Sequence, residues 1–586
     1  MRMDTSDNST PTGAERVRFA DASAEAMLRP HLEDLSHPDP DCWTIVKQNV
    51  SRTVYRGVME GREVYLKHYH GRSWDHRLRR ALGFSDAVHE FRLAMYLQSR
   101  GVPTAPPLAA RCDKEAEWLL TRAVTPAEPV DAWHERQLRL GPQGQANIRR
   151  CAAAMGELIG RMHRAGVIHD DLHCGNVLVR TDGPDVQLVL MDLHRASRRR
   201  RLSRRRKAVN LAHLFHDRRH FTTRTDRLRF LAHYIPAGGE GGSLRGWLYL
   251  IEQFARRHTR RQYAQRARRT RGWNRYFAPL RLSDGWRGHV VLASKRHMGG
   301  SRAAEVVFAR EDWEKALHDV DALFSDPRAE VVKNSRSTHL VRRRLRVGEH
   351  EVDVFLKRQK PGWRKILVDC LRPSRPLRAF RLGHALLARR IATALPLAAL
   401  ERRKGPFLRD SLLITETVPA PHLYDFMDTW LSVPPRGDTP LSEPQQRQLA
   451  QEVLWQLGRM LQQLHDNRFS HRDLKATNLR VRWSSGERPE VVLLDLDGMR
   501  RVLSMTMRRK LRGLMRLNVS LLQCPVVNHA GRLRMLLGYL RRPGAGRINF
   551  KPYWRLLEDW SARKLRQQIR SRRRRQRRRR TAGSPT

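Results

Sequence analysis

Two segments of the chain carry the same trio of oxygen-bearing side chains. His169-Asp170-Asp171-Leu172-His173-Cys174-Gly175-Asn176 is followed by Val186-Gln187-Leu188-Val189-Leu190-Met191-Asp192. Further along, His471-Arg472-Asp473-Leu474-Lys475-Ala476-Thr477-Asn478 is followed by Val491-Val492-Leu493-Leu494-Asp495. In both, Asp and Asn are five residues apart, and a second Asp ends an apolar run 16 or 17 residues later. Phosphoryl transfer consists mostly of positioning and neutralising negative charge. Mg²⁺ takes hard oxygen ligands, which an amide oxygen and a carboxylate supply. A separate carboxylate, held off the metal, can take the proton of an attacking hydroxyl. The pattern makes Asp171 and Asp473 candidate bases, and Asn176 with Asp192, and Asn478 with Asp495, candidate metal ligands. Acidic residues after short strands also form ordinary turns. A trio that recurs at matched spacing argues for chemistry instead.

Upstream, each trio has a strand-like run with an embedded lysine. Val64-Tyr65-Leu66-Lys67-His68-Tyr69 matches Val354-Phe355-Leu356-Lys357-Arg358. Lys67 and Lys357 are the candidate contacts to nucleotide phosphates. Glu90 opens the next helix and can hold Lys67, whereas Ala379 stands at the matching place in the second copy. The first copy is therefore expected to bind ATP more tightly. Neither copy has a G-x-G-x-x-G loop; the corresponding stretches are Asn49-Val50-Ser51-Arg52-Thr53-Val54 and Asn334-Ser335-Arg336-Ser337-Thr338.

The elements that must position these residues also recur in order, so a whole domain is duplicated. Ile148, Ala152, Met155, Ile159 and Met162 predict a helix before the first catalytic loop. Leu449, Val453, Leu457, Leu461 and Leu464 predict its counterpart, with Ser442 and Gln445 as a capping box. The expected boundaries are a polar segment over 1–40, units over 41–280 and 329–570, a linker over 281–328 and an Arg-rich tail over 571–586.

With 113 Lys and Arg against 59 Asp and Glu, the net charge of +54 favours polyanions. Dense basic runs follow each second Asp: Arg195 and Arg198 to Arg201 in one copy, Arg500, Arg501 and Arg508 to Lys510 in the other. The longest apolar stretches are too short to span a membrane, and Met1 to Ala24 lacks the apolar core of a secretory signal. Six scattered cysteines without a C-x-x-C indicate neither a zinc site nor a disulfide framework, which suits a reducing cytoplasm.

Both halves resemble the bacterial lipopolysaccharide kinase family, which includes Kdo kinases and core heptose kinases. The resemblance rests on the Leu-Lys strand, the Phe-Arg-Leu helix, the His-x-Asp-Leu-x-x-x-Asn loops and the Asp-Leu-His or Asp-Leu-Asp strand ends. It implies an α+β chain, a tandem duplication of a bilobal eukaryotic-protein-kinase-like fold. It also implies ATP and Mg²⁺ as cofactors, and a sugar hydroxyl of the lipopolysaccharide inner core (Kdo or heptose) as acceptor. The implied setting is the cytoplasm, peripheral on the inner face of the cytoplasmic membrane, with that anionic surface as a partner. Two other readings stay open at this point. One is a kinase of another acceptor, either protein or a small molecule as in aminoglycoside and choline kinases. The other is a partly degenerate kinase-fold binding protein on anionic membrane or nucleic acid. Nucleic acid binding by the Arg-rich tail would be non-specific and salt-sensitive.

Overall fold

The computed structural model describes residues 17–48, 52–70, 85–113, 116–138, 140–180, 185–217, 222–293, 307–361, 370, 372–431, 441–484, 488–524, 527–541 and 549–581. The chain divides into two compact units, Met1–Arg260 and Arg261–Thr586.

The first unit opens with a six-stranded antiparallel sheet. Its spatial order is Val17–Phe19, Pro107–Cys112, Glu117–Arg122, Arg62–Tyr69, Arg52–Met59 and Thr44–Gln48. Side chains alternate across a strand with a period of two. In Arg62–Tyr69 that alternation sends Val64 and Leu66 into a core with Trp43, Leu108, Trp118 and Leu120. Lys67 falls on the opposite face, paired in register with Val54 and Leu119. The helix Asp86–Ser99 starts at Ser85, whose side chain accepts from Val88 N at 3.1 Å. It carries Glu90 toward the lysine face.

The helical half of this unit is built on Gly141–Arg164 packed against Arg224–Ala237. Gly156 lets the two backbones meet, because a Cβ there would lie 2.3 Å from Phe230 O. His163 Nδ1 lies 2.8 Å from Tyr234 Oη, and His163 Nε2 3.0 Å from Asn210 Oδ1. Asn210 in turn donates to His169 O at 2.6 Å. The core helix thereby holds the start of the loop that carries Asp171 and Asn176.

The second unit repeats the plan. Seven antiparallel strands run Phe277–Arg281, Trp286–Val291, Pro396–Lys404, Phe407–Glu416, His350–Gln359, Thr338–Val347 and Glu330–Ser335. Helix Glu443–Asp466 packs on His529–Leu540 through Gly458, where a Cβ would lie 2.0 Å from Met535 O. His465 Nδ1 lies 3.0 Å from Tyr539 Oη, the counterpart of the first unit's His–Tyr contact. Ser442 N donates to Gln445 Oε1 at 2.9 Å at the start of that helix. Each unit is thus a sheet lobe followed by a mainly helical lobe, and the chain is a tandem duplication of a bilobal eukaryotic-protein-kinase-like fold.

Two of the sequence boundaries differ from what the structure shows. Residues 277–291, read as the end of the first unit and the start of a linker, are edge strands of the second sheet. The helix Arg310–Ala316 buries Trp313, whose indole donates to Val291 O at 2.8 Å, so this stretch is packed structure. Near the start, Val17–Phe19 pairs with Pro107–Cys112, and Leu28 and Leu35 are fully buried. Those apolar side chains draw residues 17–36 of the nominally polar segment onto the sheet. The Arg-rich stretch continues the helix Lys551–Thr581, and residues 582–586 lie outside the described residues. No helix among the described residues is long and apolar enough to cross a membrane.

Candidate active sites

In each unit a short hairpin returns the chain from the Asn to the second Asp. Val177–Arg180 pairs with Gln187–Leu190, and Leu479–Arg482 pairs with Glu490–Leu493. Met191 N donates to Asn176 O and Leu494 N to Asn478 O, both at 3.0 Å. The hairpins are pinned to the sheet lobes by parallel bridges, Thr104 to Leu190 and Thr393 to Leu493. The loops themselves are braced alike. Asn176 Nδ2 donates to Asp171 O at 3.0 Å, and Asn478 Nδ2 donates to Asp473 O at 3.0 Å. Asp171 N and Asp473 N donate to the Nδ1 atoms of His169 and His471 at 3.2 and 3.1 Å. Burial pushes both imidazoles toward the neutral form, which keeps these nitrogens available as acceptors.

The side chains of Asp171 and Asp473 are 44% and 51% exposed, so both carboxylates are open to an incoming hydroxyl. Each has a cationic neighbour. Arg195 Nη1 lies 3.7 Å from Asp171, and Lys475 Nζ lies 2.7 Å from Asp473. The Arg195 contact comes from the basic run, whereas Lys475 lies within the loop motif itself.

The lysine positions differ between the units. Lys67 Nζ lies 2.6 Å from Glu90 Oε1 and 3.6 Å from Asp192 Oδ1. Glu90 is nearly enclosed and also accepts from Tyr69 Oη at 2.9 Å and Leu193 N at 3.0 Å. Those bonds replace water around a buried charge. Lys357 lacks that helix partner, since Ala379 is buried at the matching place. It turns instead to the strand end, 2.5 Å from Asp497 Oδ2 and 3.3 Å from Asp495 Oδ1. Gln359 Nε2 adds a bond to Asp497 Oδ2 at 2.7 Å. Burial by itself would lower the Lys357 pKa, but the charges of Asp497 and Asp495 outweigh it and raise it.

Arg52 and His194 join the site in a way that motif spacing does not show. Arg52 grips Asp192 with two hydrogen bonds, Nη1 to Oδ1 and Nη2 to Oδ2, both 2.7 Å. His194 Nδ1 lies 2.8 Å from Asp192 Oδ1. Burial would raise the Asp192 carboxyl, but bonds from His194 and Arg52 and the charges of Lys67 and Arg52 hold it far below the usual range. Thr338 is the register equivalent of Arg52 in the second unit: Lys67 faces Val54, Lys357 faces Leu340, and Arg52 and Thr338 each precede that partner by two. The register was not readable from the sequence, so Arg52 gave no signal beyond its place in the would-be phosphate loop. Residues 49–51 of that loop lie outside the described residues.

The second unit has a cleft of roughly 480 Å³ between its sheet and helical lobes. Leu340, Ala394, Leu413, Val418 and Leu494 give it an apolar lining, and Lys357, Asn478, Asp495 and Asp497 supply the charged and polar end. An apolar slot with a few convergent polar groups is the ordinary form of a small-molecule site. Here it suits a flat base at one end and phosphates with a divalent cation at the other. Asp495 is 40% exposed against 14% for Asp192, so its carboxylate is the more accessible to a metal.

The lipopolysaccharide kinase (Kdo/WaaP) family matches the chain twice, over residues 44–234 and 335–539. The lipopolysaccharide core heptose(I) kinase WaaP of Pseudomonas aeruginosa is 27% identical over 209 residues, 33% of this chain and 76% of that protein. The EKC/KEOPS complex subunit Tp53rkb of Mus musculus is 26% identical over 182 residues, 31% of this chain and 70% of that protein. A solved structure, "WaaP in complex with acyl carrier protein", aligns with 41% of this chain and 98% of its own at 23% identity and a TM-score of 0.33. With more than half of its residues matched in two successive blocks, the chain is a kinase and belongs to the lipopolysaccharide kinase (Kdo/WaaP) family.

Proposed function

We propose that the chain transfers the γ-phosphoryl group of ATP to a sugar hydroxyl of the lipopolysaccharide inner core, Kdo or heptose, or of a related acidic glycolipid. The observation that carries this reading is the convergence of Lys357, Asn478 and Asp495 on one cleft, with Asp473 on the adjoining loop, in a family of sugar kinases. Asp171 and Asp473 act as bases, each taking the proton of the attacking hydroxyl at its exposed carboxylate. Asn176 with Asp192, and Asn478 with Asp495, would hold Mg²⁺, which neutralises phosphate charge in the transition state. Lys67, oriented by Glu90, and Lys357 would bind the nucleotide phosphates. Lys475 and Arg195, beside the two bases, would draw an acidic acceptor toward them. The basic surface favours peripheral attachment to the anionic inner face of the cytoplasmic membrane, at about 1 kcal/mol per Lys or Arg near the surface and with salt screening.

The test is transfer of label from ATP to purified inner-core lipopolysaccharide and, in parallel, to Kdo-only and heptose-containing acceptors and to a protein acceptor. Label on a core sugar that depends on Asp171 or Asp473 is the expected result. Label on the protein alone would replace this reading with that of a protein kinase.

A further inference from the structure

Away from the base, nucleotide and metal positions, the first unit holds a pocket of roughly 430 Å³ lined by Arg100, Arg161, Arg164, Arg198, Arg199 and Arg200. No carboxylate is among its lining residues. Three separate elements supply the cations. Arg100 follows the helix Asp86–Ser99, Arg161 and Arg164 end the helix Gly141–Arg164, and Arg198 ends the strand Ala196–Arg198. Helix C-termini favour cations, which accounts for Arg161 and Arg164 but not for the run Arg198 to Arg200.

The pocket is built. Tyr96 forms its floor, with its hydroxyl fixed on Ala165 O at 2.9 Å. The Arg198 guanidinium lies 4.0 Å from the Tyr96 ring centre and that of Arg100 5.5 Å. Arg199 N donates to Gly166 O at 2.8 Å. Gly166 has φ 77° and would place a Cβ 2.5 Å from Arg199 O, so only glycine lets this strand end tuck against the helix. Arg161 meets Glu157 at 3.6 Å on the exposed helix face, a weak pair.

The duplication supplies an internal comparison. Arg198 pairs with Val167, as Arg501 pairs with Phe469. Continuing from those pairs, Asp466, Val502 and Leu503 stand where the first unit has Arg164, Arg199 and Arg200, and Ala385 stands for Tyr96. There the counterpart of Arg100 is buried instead of open: Arg389 lies 4.1 Å from the Tyr263 ring centre, and Arg266 Nη1 donates to Ala388 O at 3.4 Å. Arg164, Arg199 and Arg200 therefore have no cationic counterpart in the second unit. The pocket is also separate from the transfer chemistry. Arg198 faces the far end of the strand that leads to His169 and Asp171, on the order of 10 Å away at about 3.3 Å per residue.

We infer that this pocket binds a group bearing clustered phosphates, the chemistry shared by inorganic pyrophosphate and a diphosphorylated lipid head group. Guanidinium forks match phosphate oxygens bidentately, and several converging on one pocket repel one another until an anion fills it.

The full chain carrying Arg164→Gln, Arg199→Gln and Arg200→Gln is compared with one carrying Arg566→Gln, Arg570→Gln and Arg573→Gln, which loses the same charge from exposed positions on the C-terminal helix. Pyrophosphate is titrated calorimetrically with Mg²⁺ and a non-hydrolysable ATP analogue present to fill the nucleotide clefts. Vesicles of phosphatidylcholine with cardiolipin are sedimented against pure phosphatidylcholine. The pocket variant is expected to lose about tenfold or more in pyrophosphate affinity while binding the ATP analogue normally, and the control is expected to match the parent. A parallel loss on cardiolipin vesicles assigns a lipid head group, and a loss with pyrophosphate alone assigns a soluble ligand. Equal weakening of pyrophosphate binding by both variants, or no binding of either probe by the parent chain, would overturn the inference.

Discussion

At the scale of single residues, Asp192 and Asp495, the carboxylates proposed to hold metal, differ in the charges that touch them. Arg52 occupies both oxygens of Asp192, so a cation approaching that carboxylate must displace a guanidinium. Replacing Arg52 by Gln is expected to raise the Mn²⁺ affinity of the full chain at this site several-fold, read by electron paramagnetic resonance in an Asp495→Asn background. Unchanged affinity would show that Lys67 and His194 alone set the access. The proposed bases allow a second test. Asp473→Asn removes the proton acceptor without disturbing the backbone bonds of its loop, because the Asn478 amide bonds to the Asp473 carbonyl. A fall of about 10² to 10⁴ in the rate of the second unit is expected, with ATP binding intact. Full transfer by the Asp171→Asn, Asp473→Asn double variant would remove both residues from the mechanism.

Among the secondary-structure elements, one substitution separates the two lysine arrangements. The sheet-facing helix of the second unit, Arg375–Leu387, places Ala379 where the first unit has Glu90. Ala379→Glu is expected to draw Lys357 off Asp497 and Asp495, restoring a helix–strand ion pair and tightening nucleotide binding in a background with the first site disabled by Lys67→Met. Weaker binding would mean that the strand-end pairing of Lys357 is itself the working arrangement. Helix packing gives a structural test. A Cβ at Gly458 would sit 2.0 Å from Met535 O, a backbone atom that cannot move aside alone. Gly458→Ala is expected to destabilise the second unit by about 1–3 kcal/mol in urea unfolding, as overpacking generally does.

Across the whole molecule, two buried histidines set an acid limit. Burial lowers His163 from 6.5 to about 4 and His384 from 6.5 to about 3. As pH falls, the unfolded chain takes up protons at these positions before the folded one does. Their contribution is therefore fully present above about pH 6.5 and is lost progressively below it. The melting temperature is expected to fall between pH 7 and 5, and the fall is expected to be shallower in the His163→Gln, His384→Gln variant. An unchanged slope would place the acid sensitivity elsewhere. The charge of +54 acts over the same scale, and vesicle binding that survives high salt would argue against electrostatic attachment.

Features that depend on local spacing are legible along the chain. The Asp–Asn–Asp trios, the lysine strands, the helix before each catalytic loop and the duplication all repeat at fixed intervals, and a regular interval places side chains on one strand or one helix face. Glu90 was legible for the same reason, as the acid beside Phe91-Arg92-Leu93 on the helix after the Lys67 strand. What fills the space between elements depends on how they pack in three dimensions. The Arg52 grip on Asp192 spans 140 residues of chain, the turn of Lys357 toward Asp497 depends on how a strand end meets a sheet, and residues 277–291 joined the second sheet through register with Pro396–Lys404. The arginine pocket was divided likewise. The run Arg198 to Arg201 was visible as charge, but its convergence with Arg100 and Arg164 on Tyr96 required two helix ends and a strand to meet. Such contacts are fixed by packing and by long-range pairing, which no interval along the chain encodes.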